Sequence, residues 1–143
     1  MIAVMIAPRR YVQGRGVLAD AGTYLKAIGR KPLVLWDAGV KAIVGERVLA
    51  SLADAGLEVV EVAFAGDSTH AEVDRVAAIA REAGADMAVG VGGGKTLDTA
   101  KAAAAANGIA MVTVPTIASN DSPTSSYTVW YDEAGNCLGF ESW

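Results

Sequence analysis

Cysteine and histidine are almost missing from the 143-residue sequence, which holds one of each, Cys137 and His70. A lone cysteine excludes an internal disulfide framework and fits a reducing, cytoplasmic setting. With one histidine beside it, no Cys/His zinc cluster can be built within the chain. Basic residues are also in deficit: 12 lysines and arginines against 16 acids leave a net charge of −4. Nucleic acid is therefore not an expected partner, since neutralising phosphates needs a basic patch. Long uninterrupted apolar runs are missing too. Residues 102–120 carry no charge, but Asn107, Gly108 and Pro115 break the stretch, so no membrane span is expected. The opening residues place Arg9 and Arg10 after the apolar ones, the reverse of a secretory leader. What the sequence does have is apolar material: 52% of residues are hydrophobic and 20% charged, enough for the core of one ordinary domain.

Apolar spacing assigns the elements. Residues 1–13 read as a first strand. Val17, Leu18, Ala21, Leu25 and Ile28 share a helical face that Gly29 ends. Residues 33–36 form a short buried strand closing on Asp37. Val40, Ile43, Val44, Val48, Leu49 and Leu52 make the next helical face, stopped by Gly56. Residues 57–64 read as a strand. Thr69 to Glu72 has the form of a capping box and opens a helix that Gly84 closes, with His70 exposed at its start. Residues 85–91 are a strand, 95–106 an alanine-rich helix, and 109–114 another strand. This alternation predicts an α/β fold over residues 1–143, with a mostly parallel sheet and helices on both faces. After Pro115 the rhythm changes. Residues 126–131 and 136–140 flank Asp132-Glu133-Ala134-Gly135 and predict a C-terminal β-hairpin.

The chemistry concentrates where the strand at 85–91 meets the next helix, through Gly92-Gly93-Gly94-Lys95-Thr96. Glycines here supply backbone dihedrals closed to other residues and let a ligand approach without Cβ atoms in the way. The helix start presents free N–H groups, which attract anions and above all phosphate. Lys95 adds a positive charge. A plain tight turn would need neither three glycines nor the lysine. The Walker A pattern fails because Val89 stands where its first glycine belongs. The G-x-G-x-x-G fingerprint fails as well, with Lys95 or Leu97 at its last position. Generic motif logic therefore ends at phosphate or diphosphate on a strand-to-helix turn. Asp37, at the carboxyl end of its strand, can accept hydrogen bonds from the ribose hydroxyls of adenosine and would repel a 2′-phosphate, favouring NAD over NADP. It can equally cap the helix that follows.

Two stretches carry a family resemblance. Gly92-Gly93-Gly94-Lys95-Thr96-Leu97-Asp98-Thr99-Ala100-Lys101 and Val114-Pro115-Thr116-Ile117-Ala118-Ser119-Asn120-Asp121-Ser122-Pro123-Thr124-Ser125 together resemble glycerol dehydrogenase. That is a branch of the metal-dependent polyol dehydrogenases related to iron-containing alcohol dehydrogenases. Pro8 to Gly16 and Asp37 extend the similarity along the chain. The resemblance implies a Rossmann-like nucleotide-binding domain, which the family follows with a helical second domain, and NAD in the cleft between the two. It implies that Asp37 holds the adenosine ribose and that the Gly92-Gly93-Gly94 turn with Lys95 holds the diphosphate. Thr116 and Ser119 would line the cofactor channel, and Ser125, Tyr127 and Tyr131 would meet the nicotinamide half. Asp121 would bind the hydroxyls of glycerol. Asn120 and Tyr127 depart from the threonine and leucine of the family pattern, so Tyr127 fits that role best through its backbone.

The implied reaction is oxidation of glycerol to dihydroxyacetone with hydride transfer to NAD, assisted by a divalent metal, usually zinc. The resemblance places the metal ligands beyond Trp143, so no catalytic or metal residue is expected within these residues, and the chain alone is expected to be inactive. Self-association into a homo-oligomer is expected from apolar surface left for the helical domain. The plainer readings stand beside these. Asp121 suits a turn in Asn-Asp-Ser-Pro, and Tyr131 suits a cross-strand pair. Lys101 reads as a solvated helix face, and Asp98 as a residue that caps or orients the glycine turn. The rival functions are a stand-alone nucleotide-binding module, a lyase domain resembling dehydroquinate synthase, and a glycerol-1-phosphate dehydrogenase. The last two lack support from the 117–121 stretch and from basic residues respectively.

Overall fold

The computed structural model describes residues 7–143. The strand expected over residues 1–13 lies outside the described residues for positions 1–6, and positions 7–13 are irregular. Regular structure begins with a 3-10 turn at Val17–Asp20 and runs directly into α1, Ala21–Lys26. The expected helix over 17–28 is thus divided, and Ile28 is left exposed. Asp86 sets the end point: its carboxylate accepts hydrogen bonds from the N–H of Arg30 at 2.5 Å and of Lys31 at 2.9 Å. A Cβ on Gly29 would lie 2.5 Å from that carboxyl group, so the stop glycine serves this close approach.

Strand β1, Pro32–Trp36, is followed by α2, Ala38–Asp54, then β2, Val60–Ala63, and α3, His70–Ala83. Strand β3, Met87–Gly92, leads into α4, Gly94–Asn107, and then β4, Ala110–Pro115. The four strands make one parallel sheet in the order β2-β1-β3-β4. Its central strands are buried throughout, which is why they read as continuous apolar runs rather than alternating ones. Val34, Trp36, Met87, Val89 and Val91 face one side, with Val48 and Leu52 of α2 and Leu25 of α1. Leu33 and Leu35 face the other, with Val76, Ala77 and Ala80 of α3 and Ala100 and Ala103 of α4. The α/β architecture with helices on both faces is therefore as expected. On α2 the buried stripe runs through Gly45, Val48 and Leu52. Ile43 sits two positions before Gly45, on the opposite side of a 3.6-residue turn, and is exposed.

The capping box of α3 forms only by half. Thr69 Oγ1 accepts from the Glu72 N–H at 3.1 Å, but the Glu72 carboxylate turns elsewhere. It accepts from the Ala65 N–H at 2.9 Å and from Arg75 Nε at 2.7 Å, and this bond raises the Arg75 pKa above its ordinary value.

The chain closes with an antiparallel hairpin, β5 at Tyr127–Tyr131 and β6 at Cys137–Ser142, with an irregularity of register at Trp130/Tyr131. Its turn is held by Asp132, whose carboxylate accepts from the N–H groups of Ala134 at 2.9 Å and Asn136 at 2.8 Å. Leu138 and Phe140 on β6 are exposed. No helix among the described residues is long and apolar enough to cross a membrane.

Candidate functional site

The glycine turn lies at the carboxyl edge of the sheet, where β3 ends at Gly92 and α4 begins at Gly94. The sequence reading expected these glycines to supply unusual dihedrals. Gly93 instead has φ −87° and ψ −175°, ordinary extended backbone, and none of Gly92, Gly93 or Gly94 has positive φ. Their role is close approach. A Cβ on Gly92 would lie 2.7 Å from Thr96 Oγ1 and 3.1 Å from Asp37 Cβ, and one on Gly94 would lie 3.0 Å from Asn120 Nδ2. Two further loops thus converge on the turn. No side chain caps α4. Its first helical bond runs from the Leu97 N–H to the Gly93 carbonyl at 3.1 Å. The N–H groups of Gly94, Lys95 and Thr96 precede that bond and face the end of the helix, the arrangement that binds anions.

Parallel pairing brings Asp37 and Thr116 to the same edge. The Asp37 N–H donates to the Val91 carbonyl at 3.2 Å, and the Thr116 N–H donates to the Gly92 carbonyl at 3.1 Å. Asp37 Oδ1 accepts from the Val40 N–H at 3.0 Å, so the residue does cap α2. Its other oxygen has no hydrogen bond among the described residues, which leaves it able to accept from a ligand. A shallow hollow beside it is lined by Trp36, Ala38, Lys41, Ala42, Glu61, Val62 and Ala63. Lys41 Nζ pairs with Glu61 Oε2 at 2.7 Å along its rim. Lys41 and Glu61 were not singled out from the sequence. Lys41 stands four residues beyond Asp37, and Glu61 lies within the neighbouring strand, so only the register of β1 against β2 joins them.

Lys95 is not free. Its ammonium pairs with the Asp67 carboxylate and lies 4.3 Å from the centroid of the Tyr131 ring. The fold therefore brings Lys95, Tyr131 and Asp67 together. The signal for Asp67 was its place in Gly66-Asp67-Ser68, just past a strand on the same edge as Asp37.

The loop after β4 carries the remaining candidates. Thr116, Ser119, Asn120 and Asp121 are exposed. Asp121 takes the turn role through its backbone: its carbonyl accepts from the N–H groups of Thr124 and Ser125, both at 2.9 Å. Its carboxylate has no hydrogen bond among the described residues. Ser125 and Tyr127 are held from below by Lys101, which donates to the Ser125 carbonyl at 3.3 Å and to the Tyr127 carbonyl. The Tyr127 ring points away and packs edge-on against Phe140, with centroids 5.4 Å apart. Only its backbone belongs to the cluster.

Two readings of α4 are corrected. Lys101 is buried rather than solvated, at 7% exposure. Asp98 is also buried, and it holds the hairpin and the loop rather than the glycine turn. Its Oδ1 accepts from Ser122 Oγ at 2.5 Å and its Oδ2 from the Val129 N–H at 3.0 Å. His70 is exposed, as expected, and stacks on Trp130 with centroids 4.0 Å apart.

Among the described residues no three of His, Cys, Asp and Glu come together to hold a metal ion. The donor set near the turn does not fit a divalent cation, because Asp37 caps α2, Asp67 pairs with Lys95, and no group of three such donors gathers among the described residues.

A parallel sheet with an uncapped, glycine-led helix at its carboxyl edge and an acid ending the adjacent strand defines a Rossmann-like class of α/β domain. Within that class the chain belongs to the iron-containing alcohol dehydrogenase family, whose model matches residues 8–142. It is 47% identical over 135 residues to a glycolaldehyde reductase of Halobacterium salinarum, covering 94% of this chain and 37% of that one. It is 42% identical over 129 residues to a glycerol dehydrogenase of Pseudomonas putida, covering 90% of this chain and 35% of that one. The crystal structure of a probable glycerol dehydrogenase from Sinorhizobium meliloti 1021 superposes with a TM-score of 0.89 at 35% identity, covering 99% of this chain and 38% of that one. The chain thus spans little more than a third of the length of the curated relatives it matches.

Proposed function

We propose that these residues form the NAD-binding part of an enzyme that oxidises glycerol to dihydroxyacetone. One observation supports the reading most: the open N–H groups of Gly94, Lys95 and Thr96 share a sheet edge with the unengaged Asp37 oxygen. Asp37 would accept from the adenosine ribose, with the hollow by Trp36 and Ala38 beside it for the base. The Gly92-Gly93-Gly94 turn and Lys95 would hold the diphosphate. Thr116, Ser119, Ser125, Tyr131 and the Tyr127 backbone would line the path to the nicotinamide, and the free Asp121 carboxylate would orient a polyol by accepting from its hydroxyls. NAD, when bound, supplies the hydride acceptor. The divalent metal that the resemblance implies finds no ligand set among the described residues. Turnover is assigned to the enzyme completed by a second domain, and the exposed Leu138 and Phe140 to packing against a neighbouring domain or copy.

Calorimetric titration with NAD and NADP tests the cofactor. NAD is expected to bind more tightly, and Asp37→Ala to weaken it more than about tenfold, a loss of about 1.4 kcal/mol. An unchanged titration removes the ribose role.

A second substrate reading has one specific support, the 47% identity to a glycolaldehyde reductase. A small hydroxyaldehyde still offers Asp121 one hydroxyl donor where glycerol offers three. Reduction of glycolaldehyde compared with oxidation of glycerol, by an enzyme joining these residues to a helical domain, separates the two. No turnover of either would favour a nucleotide-binding module.

A further inference from the structure

The proposed site uses the faces of the 116–131 segment but does not account for the charges beneath it. Asp98 and Lys101 sit three residues apart on α4, both side chains at 7% exposure, with Lys101 Nζ 2.9 Å from Asp98 Oδ1. A buried ion pair loses hydration on both partners and is weak evidence for stability. The neighbouring Ala102, Ala103 and Ala104 show that this helix packs well without charge. What the pair does achieve is attachment at both ends of one segment. Asp98 takes Ser122 Oγ at 2.5 Å and the Val129 N–H at 3.0 Å, and its backbone carbonyl takes Thr128 Oγ1 at 3.2 Å. Lys101 donates to the carbonyls of Ser125, at 3.3 Å, and Tyr127. Asp121 stands immediately before the first anchor, and Tyr131 two residues beyond the last.

We infer that Asp98 and Lys101 are positioning residues that hold the nicotinamide and polyol side of the site in place on α4. The inference rests on the NAD reading above. Neither side chain touches Asp37, and the pair reaches the glycine turn only indirectly, through Ser122 Oγ, 3.5 Å from the Gly94 carbonyl, and through Tyr131 beside Lys95, so the adenosine and diphosphate side depends on the pair less than the nicotinamide side does. The division yields a test that an ordinary structural role would fail. ADP reports the adenosine and diphosphate side alone, and NAD reports both.

Asp98→Asn and the double variant Asp98→Asn/Lys101→Met are titrated with ADP and NAD, and amide hydrogen exchange is followed in the same samples. The double variant removes both charges, so it avoids stranding one of them in the interior. The NAD affinity is expected to fall about tenfold with a clearly smaller loss for ADP, and exchange to quicken across residues 119–131 while β1 and β3 keep their protection. Equal losses for ADP and NAD, or faster exchange spread through the sheet, overturn the inference. If the parent chain binds NAD no better than ADP, the NAD reading fails on its nicotinamide side, and the exchange pattern alone decides whether the pair holds the segment.

Discussion

The Lys95 ammonium is paired with the carboxylate of Asp67 at the mouth of α4. An incoming diphosphate must therefore compete with a resident acid for the lysine. Both side chains are over a third exposed, at 41% and 34%, so solvent screens the pair and its strength is modest. Asp67→Asn is expected to tighten NAD binding by about 1.4-fold to fivefold, matching the range of about 0.2–1 kcal/mol for exposed ion pairs. Calorimetry at low and moderate salt measures it. Weaker binding in the variant would mean that Asp67 aims Lys95 at the ligand.

Asp37 caps α2 and is proposed to hold the ribose, and one substitution separates the two. Asparagine caps helices as well as aspartate does, so Asp37→Asn is expected to leave the melting temperature nearly unchanged while NADP gains on NAD. Asp37→Ala also loses the bond to the Val40 N–H and is expected to cost about 1 kcal/mol of stability. Thermal melts read beside nucleotide titrations distinguish the two. A large drop in melting temperature for the asparagine variant would contradict the separation.

Gly90 serves packing rather than ligand approach. A Cβ there would lie 3.0 Å from Ala100 Cβ and 3.3 Å from Leu97 Cα, where α4 lies against β3. Gly90→Ala is expected to cost about 1–3 kcal/mol by overpacking, seen as a lower denaturant midpoint. Unchanged stability would show that α4 can shift outward at no cost.

The hairpin turn has an acid dependence with a definite sign. Hydrogen bonds from the Asn136 side chain and from backbone N–H groups lower the Asp132 pKa below its ordinary 3.8. A depressed folded pKa contributes stability that is full above the ordinary value and is lost as pH falls through the folded one. The β5–β6 turn is expected to keep its structure at neutral pH and to loosen only below 3.8. Carboxyl chemical shifts of Asp132 followed by NMR measure this, and a midpoint above the ordinary value would contradict it.

Much of the fold was legible because it is written locally. Gly84 and Gly108 close α3 and α4 in the left-handed conformation, and the buried central strands read as apolar runs. The misreadings came from distance. Lys101 looked solvated because its burial depends on Ser125 and Tyr127, 24 and 26 residues further along. Asp67 went unnoticed because Lys95 meets it only once two strand ends share an edge. The glycines of the turn were assigned dihedral freedom, yet a Cβ would be refused by Thr96, Asp37 and Asn120, and the last two are contacts that no local pattern encodes. The capping role of Asp37 was legible because a strand end and a helix start meet there.

The most direct test is an amide NMR titration of the chain with NAD. Shifts concentrated at Gly93, Gly94, Lys95 and Thr96 and at Asp37 are expected as the diphosphate takes the open end of α4. Saturating shifts elsewhere, with those amides unmoved at millimolar NAD, would contradict a nucleotide site at the glycine turn.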